Sequence, residues 1–96
     1  MLSFHPGDIV KHFKRELISD EERAVNKYLY KIIGVAEHTE SGESLMVYQA
    51  LYDDFRIYAR PYDMFTEKVD RDKYPDVKLQ QVDRFQDFEI YMSDYM

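Results

Sequence analysis

The chain reads as a small, mainly β domain, and three features of the sequence predict it. Short stretches rich in β-branched and aromatic residues recur along its length, turn residues separate them, and several alternate in the two-residue period of a pleated strand. With 96 residues, 45% of them hydrophobic and 16% aromatic, the chain holds enough apolar material for one core. A second core would need about 50 residues of its own, so a single domain is expected.

The first element follows the Pro6-Gly7 turn signal, where Ile9, Lys11 and Phe13 alternate with Val10, His12 and Lys14 as in a strand entering the core. Residues 15–27 are charged, and Ser19-Asp20-Glu21-Glu22 has the form of a capping box before a helix. Ala24, Val25, Tyr28, Leu29, Ile32 and Ile33 keep a helical spacing, which taken alone would extend that helix to Gly34. Residues 28–35 are nevertheless dense in side chains that lose rotamer freedom in a helix and pack well on a sheet, so a strand is expected from Tyr28. Ser41-Gly42 marks the tip of a hairpin. Beyond it Leu45, Val47, Gln49 and Leu51 face one way, and Met46, Tyr48, Ala50 and Tyr52 the other. Asp53-Asp54 predicts a turn, residues 55–60 a strand that Pro61 ends, and residues 62–65 a helical turn packing Met64 and Phe65 inward. Residues 67–81 read as irregular, and residues 84–91 as a final strand.

Composition removes several classes of function. The chain has no cysteine, which excludes disulfides, thiolate catalysis and cysteine-ligated metals and points to a reducing, cytoplasmic compartment. No apolar stretch approaches the roughly 18 residues of a membrane span, and no signal peptide is evident. Thirteen basic residues stand against 19 acidic ones, for a net charge of −6, which argues against a nucleic-acid partner. There is no phosphate-binding glycine loop and no nucleophile elbow, and no cofactor is expected.

Pro6-Gly7, His12-Phe13-Lys14, Gly34-Val35-Ala36, His38-Thr39-Glu40, Val47-Tyr48, Ala50-Leu51-Tyr52, Arg60-Pro61, Met64-Phe65 and Arg84-Phe85 occur in an order that resembles the short bacterial proteins grouped as domain of unknown function 1653. The resemblance runs over residues 6–85. It implies a small SH3-like barrel of about five strands and brings no accepted activity. Family members join the first two strands by a short turn, so residues 15–27 look like an insertion, expected as a surface loop or short helix.

Candidate site residues are few. Arg60, before Pro61 and among Tyr48, Tyr52, Tyr58 and Tyr62, has the chemistry to stack on aromatic rings or to hold a carboxylate or phosphate. The plainer reading pairs it with Asp53, Asp54 or Asp63. Gln49, between Val47 and Leu51, is a half-buried amide in need of partners from the backbone or a ligand. His12 titrates near neutrality when unperturbed and is a candidate base, although a strand histidine is usually structural. His38, beside Glu37, is either a ligand contact or part of a turn. The histidines show no metal-ligand spacing, and no metal is expected.

These residues favour a binding module for a peptide, a protein or a small anionic ligand, with Arg60, Tyr48, Tyr58, Tyr62, His12, His38 and Gln49 as its candidate contacts. The tyrosines also allow an aromatic cage, against the commoner reading of core and cross-strand pairs. A small hydrolase using His12 or His38, oriented by Glu37 or Glu40, is one alternative. A nucleic-acid-binding barrel using Lys11, Lys14, Arg15, Lys27 and Lys31 is the other.

Overall fold

A computed structural model describes residues 4–76 and 79–88. Five strands, β1 (Ile9–His12), β2 (Leu29–Glu37), β3 (Ser44–Ala50), β4 (Ile57–Pro61) and β5 (Phe85–Asp87), form one antiparallel sheet in the order β4-β3-β2-β1-β5. Two short helices, α1 (Asp20–Ala24) and α2 (Tyr62–Phe65), lie between strands. The mainly β class therefore holds. No helix among the described residues is long and apolar enough to cross a membrane.

Alternation builds the core. Val10 and His12 of β1, Tyr30 and Ile32 of β2, and Met46, Tyr48 and Ala50 of β3 are all buried on the inner face. Register carries the same face into β4, where Arg60 stands opposite Met46 and Tyr58 opposite Tyr48. Ile33 is the extra residue at a register shift between Ile32 and Gly34, and such a bulge increases the local twist. The sheet curls far enough for Phe85 of β5 to meet Tyr48 of β3, ring centroids 5.5 Å apart, although two strands separate β3 from β5.

Among the described residues the curled sheet does not close into a barrel, because β4 and β5 are not paired. The opening is filled by side chains instead. Phe65 of α2 stacks on Phe85 at 3.9 Å and 8°, and both rings are buried. The chain after α2 then returns beside the approach to β5 through a bridge between Lys68 and Asp83. Phe13, Val69 and Leu79 form a second small core there, with Tyr74 packed against it.

Several expectations change in detail. The capping box at Ser19 and Glu22 is present, but the helix it starts stops at Ala24. Asn26 turns the chain at a φ of 64°, and Leu29 to Lys31 are taken up by pairing with β1, which overrides the helical spacing read through Ile33. Phe13 has already left β1 for a 3-10 turn spanning Phe13–Leu17. Met64 is 46% exposed while Phe65 is buried, since one helical turn can aim only one of two adjacent side chains at the core. β4 begins at Ile57, because Asp53 and Phe55 adopt left-handed conformations in the turn before it. The final strand covers Phe85–Asp87, and residues 89–91 of the expected strand lie outside the described residues.

Residues 15–27, expected as a surface loop or short helix, hold the short helix α1 and are tied down by side-chain bonds. Arg15 donates to the carbonyl of Lys27, and Arg23 donates to the carbonyls of Arg15 and Glu16, so the segment clasps itself. The Glu16 carboxylate accepts from the backbone N–H groups of Gln80 and Gln81, at 2.9 and 2.6 Å. This contact ties the insertion to the chain leading into β5.

Two stability measurements test this architecture. Phe85→Ala removes a ring at the centre of the core and is expected to cost about 3–5 kcal/mol in urea unfolding. Glu16→Ala strands two backbone donors and is expected to cost about 2 kcal/mol, against less than about 0.5 kcal/mol for Glu21→Ala on exposed α1. Equal effects of Glu16→Ala and Glu21→Ala would remove the tether.

Candidate functional site

The inner face carries a continuous arc of rings. His12 meets Tyr28 at 5.8 Å, Tyr28 meets Tyr52 at 6.0 Å, and Tyr52 meets Tyr30 at 5.7 Å. Tyr30 meets Tyr48 at 5.3 Å, and Tyr48 meets Tyr58 at 5.8 Å. Phe85 lies inside the arc, touching His12, Tyr30 and Tyr48. Tyr30 and Tyr48 are buried, Tyr28 and Tyr52 half-buried, and Tyr58 exposed. Most of these contacts are edge-on, the favourable geometry for aromatic pairs.

Local backbone places two of these rings. Tyr28 adopts a φ of 66°, an unfavourable conformation for an aromatic residue, as the chain turns out of the insertion into β2. Its ring is thereby set between His12 and Tyr52. Tyr52 is fixed by a 2.8 Å hydrogen bond between its hydroxyl and that of Tyr30. Burial, followed by this bond, raises the Tyr30 pKa, and burial also raises that of Tyr52. Both remain neutral phenols.

Arg60 stands at the rim of the arc. Its guanidinium carbon lies 5.9 Å from the centroid of Phe85, within cation–π range. Among the described residues Arg60 makes no hydrogen bond and no ion pair, whereas Asp54, one of its expected partners, pairs with Arg56 at 3.2 Å. The hydroxyls of neighbouring Tyr48 and Tyr58 likewise make no hydrogen bond among the described residues. A second cation, Arg84, differs in being bonded to Glu67, although its Nε is buried without a partner.

His12 is a structural residue of this face. Its Nδ1 accepts the backbone N–H of Lys14 at 3.2 Å, capping the 3-10 turn, so the neutral ring carries its proton on Nε2. Burial, reinforced by the charges of Lys14, Arg84 and Arg60, lowers its pKa to about 3. A base that weak is poorly matched to proton transfer near neutrality.

The remaining candidates lie elsewhere. His38 caps the exposed hairpin tip, its Nδ1 accepting the N–H groups of Glu40 and Ser41. The length of β2, roughly 30 Å of extended chain, separates His38 from Tyr28 and hence from His12, so no shared acid–base centre forms. Gln49 points to the outer face, where it donates to the Phe55 carbonyl and braces the β3–β4 turn. Tyr62 packs against the core beside a shallow cleft whose other walls are Glu43, Ser44, Pro61 and Asp63, an acidic setting. Of the sequence candidates, His12, Tyr48, Tyr58 and Arg60 thus share one face and Tyr62 packs against the same core, while His38 and Gln49 lie apart from them.

Tyr28, Tyr30, Tyr52 and Phe85 belong to the arc as well. Tyr30 lies in the strand expected from Tyr28, and Tyr52 closes the alternating stretch 45–52 although β3 ends before it at Ala50; Tyr28 owes its place to a backbone turn that no local pattern announces. Among the described residues no group of three or more His, Asp or Glu is placed to hold a metal ion. Three of the five basic residues considered for a nucleic acid are engaged within the chain: Lys27 pairs with Glu22 at 2.6 Å, Arg15 donates to the Lys27 carbonyl, and Lys14 lies over Tyr74.

The fold and this face define a small antiparallel β domain with an aromatic cup and, at its rim, an arginine that makes no ion pair among the described residues. A family profile described as "Protein of unknown function (DUF1653)" matches residues 8–87, and the chain belongs to that family. No curated protein and no solved structure matches it.

The His12 environment makes a pH prediction. Its folded pKa of about 3 lies below the 6.5 of an unperturbed histidine, so between these values the unfolded chain binds the proton and the native state does not. Stability therefore falls as pH drops through that window. From about pH 7 to about pH 5.5 the loss due to His12 is expected to be about 1 kcal/mol, measured by urea unfolding. His12→Asn, which retains a side-chain acceptor for the turn, should flatten this slope, and an unchanged slope would assign the effect to other groups.

Proposed function

We propose that the protein is a binding module whose Arg60, flanked by Tyr48 and Tyr58, holds an anionic group of a peptide, protein or small ligand. One observation carries this reading: a cation on the inner face of the sheet, set over the Phe85 ring, is left without an anion of its own among the described residues. Arginine offers five donors in a rigid fork that matches carboxylate and phosphate oxygens. The hydroxyl of exposed Tyr58 offers a further donor on the same face, whereas Tyr48 is buried beneath it. With a net charge of −6, the chain does not attract anions generally, so recognition depends on the local geometry at Arg60.

The curled sheet, with a helical turn before its last strand, is read here as an SH3-like barrel left open along one side. A cytoplasmic location agrees with the cysteine-free composition. The histidines favour binding over hydrolysis, because one is a buried weak base and the other a turn cap.

The test uses 4-hydroxyphenylacetate, acetate and inorganic phosphate as probes in amide-resolved NMR titrations. Saturable shifts are expected at β4, Tyr48 and Phe85, strongest for the aromatic acid. Arg60→Ala should weaken binding by about tenfold or more while leaving the fold intact, since the arginine contributes only about 0.5–1 kcal/mol through its ring contact. Shifts that persist unchanged in Arg60→Ala, or none in the native chain, would remove the site.

A further inference from the structure

β4 is an edge strand whose free side is open among the described residues. The Ala50 N–H donates to the Arg56 carbonyl at 2.9 Å, and bonded pairs alternate along an antiparallel ladder. The pairs Tyr48–Tyr58 and Met46–Arg60 are therefore the bonded ones. It follows that the main-chain donors and acceptors of Ile57 and Ala59 point away from the sheet. Pro61, which has no N–H to offer, falls at the non-bonded pair with Leu45 and costs the ladder nothing. Ile57 is 58% exposed and Tyr58 41% exposed, so no other element described covers this edge.

An edge of this kind either recruits a strand or carries a device against recruitment. Its side chains identify the strand it fits. Tyr58 and Arg60, two residues apart on β4, both project to the inner face, while Ile57 and Ala59 project to the outer one. We propose that β4 binds an extended acidic peptide segment as a sixth, antiparallel strand, with an Asp or Glu of the partner opposite Arg60 and an aromatic or β-branched residue opposite Tyr58. The inference rests on the anion site proposed above and specifies its partner. Main-chain bonds to Ile57 and Ala59 supply affinity, and the Arg60–carboxylate and Tyr58 pairs supply register and selectivity. Because the partner runs antiparallel, its acidic residue precedes its apolar one by two positions, an acidic-x-aromatic signature.

The probe is the acetylated, amidated heptapeptide TVEVYVT, whose glutamate, central valine and tyrosine would lie opposite Arg60, Ala59 and Tyr58. Binding is followed by NMR and by fluorescence anisotropy of a labelled copy. Saturable binding is expected, with loss of solvent exchange at the Ile57 and Ala59 amides. Glutamate-to-glutamine in the peptide should weaken it by about tenfold or more, and N-methylation of the central valine should abolish it. Equal binding of the N-methylated peptide would overturn strand addition, because that peptide lacks the central main-chain donor. If the aromatic acid binds at Arg60 but the heptapeptide does not, strand addition fails and the anion site stands; if neither binds, both fail. Concentration-dependent self-association of Arg60→Ala, with heptapeptide binding unchanged, would identify Arg60 as a guard of the edge and also overturn the proposal.

Discussion

The stack of Phe65 on Phe85 holds together the two ends of the curled sheet, β4 with the helical turn after it and β5, which no strand pairing joins among the described residues. β5 is only three residues long and pairs with β1 alone, so its hydrogen bonds are a weak reason for it to stay. Phe85 changes that balance, because its buried ring touches His12, Tyr30, Tyr48 and Phe65 at once. A ring of this size brings more than about 150 Å² of apolar surface into the core. The curl of the sheet, the position of α2 and the orientation of the tyrosine arc all require that ring.

The same packing separates what can react from what can recognise. Residues driven against Phe85 become buried, neutral and fixed, which is why His12 is a poor base and why Tyr30 is held as a phenol. Residues at the margin of the curl keep their polar ends outward. Arg60 lies at that margin, with its guanidinium over the Phe85 ring and no carboxylate among the described residues to neutralise it. The margin of the curl therefore carries the charge and the half-exposed ring surface that the core leaves outward.

The insertion shows how a charged, mobile-looking sequence becomes part of the framework. Its ordering costs conformational entropy, which is offset by guanidinium bonds to carbonyls within the segment and by the Glu16 carboxylate reaching Gln80 and Gln81. The last contact spans more than sixty residues of chain and tethers the approach to β5. It also ends in the left-handed turn that delivers Tyr28 to the arc.

Much of the fold was legible because it follows from local chemistry. Alternation in residues 45–52 assigned the faces of β3, Ser41-Gly42 located the hairpin, and Ser19 with Glu22 announced a helix start that is present. Half of the candidate site was legible in the same way, since Tyr48, Tyr58 and Arg60 lie on strands and share a face by register. Helix length was not, because pairing of Leu29 to Lys31 with β1 outweighed a helical spacing that local propensity permitted. The separation of His38 and Gln49 from that face came from local contacts instead, the first capping its own hairpin tip and the second bracing the turn six residues on.

By itself, then, the sequence determined a cysteine-free, acidic, mainly β domain of the DUF1653 family, and which residues alternate toward its core. Only the tertiary structure decided that, among the described residues, the sheet does not close and Arg60 has no ion pair, and that His12 is a buried, weak base. The reason is physical: periodicity is written in neighbouring residues, whereas burial, charge pairing and closure depend on contacts such as Phe65–Phe85 and Glu16–Gln81, which join positions far apart along the chain.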